Sequence, residues 1–507
     1  MTTLLLLAFF FAPQRAGSLS GTVVDAVTGR PVAGVQLVLE PLDTRPARPP
    51  STVSDERGGF TLADLGPGHY RLRGIRDGYP DTWYGARRPD SYGTVIALAA
   101  GQGLAGLELK LRPFASMEGT IRDPDGRPAG GVSVSLARQS WVGGVRRVAI
   151  AARATTDESG RYHVPALLPG KYYVRVEDRV AATLYPGVID PASATAIDVA
   201  AGVRISGIDV TLVRTGTFRV KGRAVVPQGT APATLHLENG PTELGFALGT
   251  RAGRDGAFEF RGVPPGVYTL SGLTNSTEMQ YRARMRVTVA DADVPGVVLS
   301  IVPGAEVVCR VKVEGGGRLP LAGAIVVFAG EDGSTQSVAR QEEEEEQTLT
   351  ANVNPGRYTV YFNPSGNTRA LYVKRIRSGS VDVLRDGLTI SQAGRVPLEI
   401  LAASDVGRVE GLVVDAPGDQ PAGGATVVLV PAATTPPRID RFQEGVADQG
   451  GRFAFAAVPP GDYRLYAWEE IESGAWYEPG FLAKYAGQNV TVRGNGRVTA
   501  RLRVADR

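Results

Sequence analysis

The 507-residue chain is poor in reactive side chains: one cysteine, three histidines, and lysine at only six of its 55 basic positions. A lone cysteine, Cys309, excludes an intramolecular disulfide. It lies in the alternating segment AEVVCRVKV and reads as a small buried hydrophobe. His69, His163 and His236 have no metal-ligand spacing, and neither a G-x-S-x-G elbow nor a P-loop occurs. No catalytic residue, metal ligand or cofactor is therefore assigned. A net charge of +3 with no basic block gives no grip on nucleic acid. The one long charge run, Glu342 to Glu346, reads as a solvated loop or strand edge.

Long apolar runs are also missing, except at the start. Leu4 to Ala12 is nine apolar residues, too short to span a bilayer but suited to a signal-peptide core. No Lys or Arg precedes it and no A-x-A site follows. The expectation is a signal peptide over 1–17, cleaved near Ala16 or Gly17, and no transmembrane segment in the mature chain. Cysteine is absent just after the run, which excludes a lipid anchor there.

Gly (64) and Pro (35) are abundant and spread along the chain, and helix-forming runs are short. Val, Thr, Tyr and Leu alternate with polar residues instead, which predicts an all-β fold. One phrase recurs five times: LGPGHYRL, LLPGKYYV, VPPGVYTL, VNPGRYTV and VPPGDYRL. Its prolines, Pro67, Pro169, Pro265, Pro355 and Pro460, are 102, 96, 90 and 105 residues apart, and each is followed three residues later by Tyr70, Tyr172, Tyr268, Tyr358 or Tyr463. Seven residues before the proline stand Phe60, Tyr162, Phe258 and Phe453, and two residues before those Gly58, Gly160, Gly256 and Gly451. The period is domain-sized. Each box reads as two strands joined at Pro-Gly, in a type II turn with positive φ at the glycine. The tyrosine ring belongs in the core with its hydroxyl bonded to upstream backbone, as in a tyrosine corner. Asp55, Asp157 and Asp448 open D-x-x-G turns, where a carboxylate accepts backbone N–H bonds.

Together with the openings SGTVVDAVTGRPVAG, EGTIRDPDGRPAGG and VEGLVVDAPGDQPAGG, these motifs resemble the carboxypeptidase regulatory-like domain. The resemblance is closest in repeats one, two and five. It implies transthyretin-like β-sandwiches of about seven strands, with a fold also called carbohydrate-binding-like, in an exported bacterial protein. Such domains often accompany peptidases or outer-membrane receptors; the H-x-x-E of a zinc carboxypeptidase is not found in this sequence. The expected organisation is a row of five all-β sandwiches after the signal peptide: 18–112, 113–213, 214–303 and 304–402 (the last two divergent), and 403–507. Short linkers predict a stiff or modestly jointed array.

Loops after the Pro-Gly-x-Tyr strand carry aromatics in matching places: Trp83 and Tyr84, Tyr185, and Trp476 and Tyr477, with Trp468 just before the last pair. Beside carboxylates and arginines, flat rings suit stacking on a sugar or clasping a peptide. The alternative is that they cover an open end of each sandwich. The functional expectation is an exported, non-catalytic binding or scaffold protein, secreted or in the cell envelope, contacting polysaccharide or another envelope protein. A purely structural spacer and an accessory enzyme are the alternatives.

Overall fold

The computed structural model describes residues 16–505 apart from 45, 87–90, 92, 143–144, 178–181, 241–242, 276–279, 320, 322–323, 331–334, 338–339, 344–346, 364–370, 416–417 and 433–437. The expected signal-peptide core and Glu344 to Glu346 lie outside the described residues.

The first sandwich sets the pattern. Its strands are β1 (Gly17–Asp25), β2 (Gln36–Pro41), β3 (Ser51–Val53), β4 (Gly59–Leu65), β5 (Gly68–Ile75), β6 (Thr82–Trp83), β7 (Ile96–Leu98) and β8 (Gly103–Leu111). One sheet runs β4-β1-β8, antiparallel then parallel; the other runs β3-β2-β5-β6, with β7 also on β5. Alternate residues of both sheets, including Leu19, Val23, Leu37, Leu39, Phe60, Leu72 and Leu109, meet in one core. Four further cores follow along the chain, within 115–212, 220–301, 305–402 and 409–502. The described helices are single turns, such as Val383–Asp386. This is an all-β chain of tandem sandwiches, as the alternation predicts. In the fourth core Cys309 is fully buried, and burial pushes its thiol up to about 12.

The five box tyrosines behave alike. Their exposure lies between 1% and 7%. Each hydroxyl donates to the carbonyl four residues upstream: Tyr70 to Gly66 at 2.7 Å, and Tyr172 to Leu168, Tyr268 to Pro264, Tyr358 to Asn354 and Tyr463 to Pro459 at 2.8 Å. The corner is real, but the type II turn is not. Gly68, Gly170, Gly356 and Gly461 have φ of 157°, 152°, 157° and 153°, far from the value near +80° that such a turn needs. The glycine instead opens the next strand, and the reversal is held by the tyrosine hydroxyl on the loop carbonyl.

The D-x-x-G turns form as expected. Asp55 Oδ1 accepts from Arg57 and Gly59 N–H, Asp157 from Ser159 and Arg161, and Asp448 from Gly450 and Arg452. The glycines Gly58, Gly160, Gly256 and Gly451 have φ of 72–84°, and a Cβ on any of them would lie 2.3–2.5 Å from a carbonyl oxygen of the opening strand. Two constraints, a left-handed backbone and a close crossing, therefore select glycine there.

Burial also gives the boxes a pH signature. It pushes the hydroxyls of Tyr268 and Tyr463 up to about 12, from an ordinary 10.0. Unfolded tyrosines lose their protons first, so the folded state binds more protons in that window and stability falls as pH rises. The urea midpoint should be flat just below pH 10 and drop between about 10 and 12. A midpoint unchanged across that window would contradict the burial of these hydroxyls.

Candidate functional site

The fifth sandwich departs from the others on its outer face. Strand Thr426–Pro431 (TVVLVP) is buried at five successive positions, and Leu465 to Trp468 are all buried in strand Gly461–Trp468. Strands apolar on both sides need a second cover. Residues 469–487 supply it, through a turn at Ala475–Tyr477 and a helical turn at Pro479–Leu482. Val428, Val430, Tyr466, Trp468, Ile471, Ala475 and Trp476 form a satellite core, with Phe442, Tyr477, Phe481 and Tyr485 around it. Trp468 stacks on Tyr466 at 5.4 Å and 5° and meets Tyr485 edge-on at 5.5 Å.

This corrects the reading of these rings as exposed ligand platforms. Trp468 is 3% and Trp476 2% exposed, so neither offers a face to a ligand. Tyr477 is half-buried and packs on Phe442 at 5.1 Å. In the first two repeats the aromatics sit differently. Tyr84 N–H donates to Leu72 O at 2.7 Å and Tyr185 N–H to Val174 O at 3.0 Å. Each acceptor lies two residues past the box tyrosine, so these loops match in space as in sequence. Tyr84 and Tyr185 pack against the edges of their own cores, while Trp83, on β6, lies under the Arg73 guanidinium at 5.5 Å. Burial, then Glu108, raises the Tyr84 hydroxyl above its ordinary range. The six sequence-selected rings therefore do not gather into one site.

What the fifth-repeat loop touches was not foreseen. Repeat two carries a hairpin, Ser133–Val142 with Val145–Thr155, longer than its counterparts. Near its tip Trp141 lies 6.2 Å from Tyr477. Gly474, at φ 81°, passes so close that a Cβ would sit 2.3 Å from Trp141 Cβ. Arg146 lies over the Trp141 ring at 5.4 Å and 3.6 Å from Glu478. Arg112, at the end of the first repeat, is 3.7 Å from Glu470. Neighbouring repeats touch as well: Phe114 N–H donates to Gly78 O, Leu244 packs with Ala137 and Leu184, Arg282 N–H donates to Asn354, and Arg438 to Val373 O. The row of sandwiches folds back, and the fifth sandwich reaches the first two. Trp141 was missed because it lies outside the repeated loops. Its signal was V-G-G-V between alternating residues, a hairpin mark.

The fold defines a class, the tandem β-sandwich proteins. Within it, residues 18–112 and 116–213 match the model of the carboxypeptidase regulatory-like domain. No curated protein matches the chain. Among solved structures, a Streptococcal ancillary pilin is 13% identical, over 57% of this chain and 99% of that one, with a TM-score of 0.21. The full-length major pilin RrgB from Streptococcus pneumoniae is 10% identical, over 96% of this chain and 100% of that one, at 0.19. The Bacillus anthracis TIE protein is 11% identical, over 98% and 76%, at 0.18. No helix among the described residues is long and apolar enough to cross a membrane.

Proposed function

We propose that the protein is an exported, non-catalytic scaffold of five independently folding sandwiches, with boundaries near 113, 214, 304 and 403, that closes on itself through a clasp between the fifth and second. The Trp141–Tyr477 contact, with Gly474 fitted against Trp141, carries this reading. Contact with polysaccharide or envelope protein belongs to the same proposal, as does export by the Leu4–Ala12 segment. Burial of Trp468 and Trp476 favours the spacer alternative over aromatic platforms in the fifth repeat. A spacer, however, works by its length, and a chain that folds back gives up length.

Gly474→Trp tests the clasp. It places a ring where not even a methyl group fits, on a loop outside the fifth sandwich's main core. An open row of five bodies, each with a radius of gyration of about 13 Å, has an overall radius on the order of 50 Å, and a closed chain falls well below that. X-ray scattering in solution should show a compact native chain and a clearly larger variant, with unchanged far-UV circular dichroism. A native chain already as long as an open row would end the closed reading.

A further inference from the structure

The seam between the first and fifth sandwiches encloses a cavity of about 220 Å³, bordered by Trp83, Tyr84, Thr94, Lys110, Arg112 and Gln449. That is below the ~300–1,000 Å³ of sites for drug-sized ligands, and suits a single ring. Two of its polar groups stand out. Thr94 is 3% exposed and its hydroxyl has no hydrogen-bond partner among the described residues. The buried Gln449 Oε1 has none either. Unpaired buried groups of this kind are rare and costly, and here two from different sandwiches border one cavity.

Both are held in place. Thr94 N–H donates to Tyr84 O at 2.7 Å, beside a Gly93 whose Cβ would lie 2.3 Å from that same oxygen. Gln449 is inside the D-x-x-G turn fixed by Asp448. The charges at the rim are largely matched. Lys110 Nζ is 2.9 Å from Glu108, and Arg112 donates to Ala86 O at 3.0 Å and faces Glu470 at 3.7 Å. Paired cations do not select an anion, but they still present spare donors, and their carboxylate partners spare acceptors, to hydroxyl groups. Trp83 adds an aromatic wall.

We propose that this cavity binds one neutral pyranose ring, with sugar hydroxyls satisfying Thr94 and Gln449. The proposal rests on the closed reading, since the site exists only where the first and fifth sandwiches meet. A free sugar and the end of a glycan offer the same ring chemistry. The full-length chain should be titrated with the methyl α- and β-pyranosides of glucose, galactose, mannose and N-acetylglucosamine, with methyl glucuronide, and with cellotriose and maltotriose, followed by saturation-transfer NMR and tryptophan fluorescence. At least one neutral glycoside should bind saturably, with Kd on the order of 1 mM. A trisaccharide binding as well as its monomer indicates a chain end; one that fails indicates a free sugar. Thr94→Val and Gln449→Leu should each weaken binding about tenfold, the loss of one hydrogen bond. Thr94→Val should leave the melting temperature unchanged or higher, because it removes an unpaired buried hydroxyl.

Binding to none of the neutral glycosides, binding undiminished by both substitutions, or a preference for the glucuronide would each overturn the proposal. X-ray scattering on the same samples separates the two failures. An open chain ends the closed reading and the site with it, whereas a compact chain that binds nothing ends the site alone.

Discussion

Gly411→Ala is expected to cost more than about 4 kcal/mol, at the extreme of single-substitution effects. Strand Gly407–Val414 pairs in parallel with Arg497–Arg503, Gly411 opposite Ala500. A Cβ on Gly411 would lie 1.9 Å from the Ala500 carbonyl oxygen. No rotamer relieves this clash, because the obstacle is backbone. The parallel pair must part, and with it one sheet of the fifth sandwich. Gly21, Gly119 and Gly222 are placed alike, 1.9–2.0 Å from the carbonyls of Leu107, Ile208 and Val297. Gly480 is the control: a Cβ there would meet no atom within 4 Å, so Gly480→Ala should stay within about 0.5 kcal/mol. Urea unfolding of residues 403–507 reads both. Similar midpoints for the two variants would mean that the strands are not paired as described.

Tyr463→Ala should cost about 3–5 kcal/mol, the usual range for truncating a core aromatic. The ring is 1% exposed, and its hydroxyl closes the corner on Pro459 O at 2.8 Å. Tyr463→Phe keeps the ring and should lose only about 1 kcal/mol for the hydrogen bond, or somewhat more for the carbonyl left behind. Arg464, one residue on, is exposed, and Arg464→Ala should cost well under 1 kcal/mol. The same urea experiment decides. Equal losses at 463 and 464 would contradict the assignment of faces.

The corner was legible in sequence because its parts lie within five residues, at a spacing that recurs five times. The D-x-x-G turns were legible for the same reason. The type II turn was misread because Pro-Gly was judged on local preference, while the backbone there is set by the tyrosine ring packed beneath it. Trp468 and Trp476 were misplaced for a different reason. Their loop resembles its counterparts in composition, but the doubly apolar run TVVLV, which demands a cover, is what decides their fate. The meeting of Trp141 with Tyr477 could not be read at all. It joins residues more than 300 positions apart through the relative placement of separate bodies, for which a one-dimensional pattern carries no signal.

The clasp has a consequence at high protein concentration. Its two halves are tethered in one chain, so each sees the other at an effective concentration on the order of millimolar, and closure within a molecule wins in dilute solution. Where chains are crowded together at comparable density, the Trp141 hairpin of one can take the Tyr477 loop of its neighbour instead. The same contact that shuts a single molecule would then join many, head to tail, without any new surface being made.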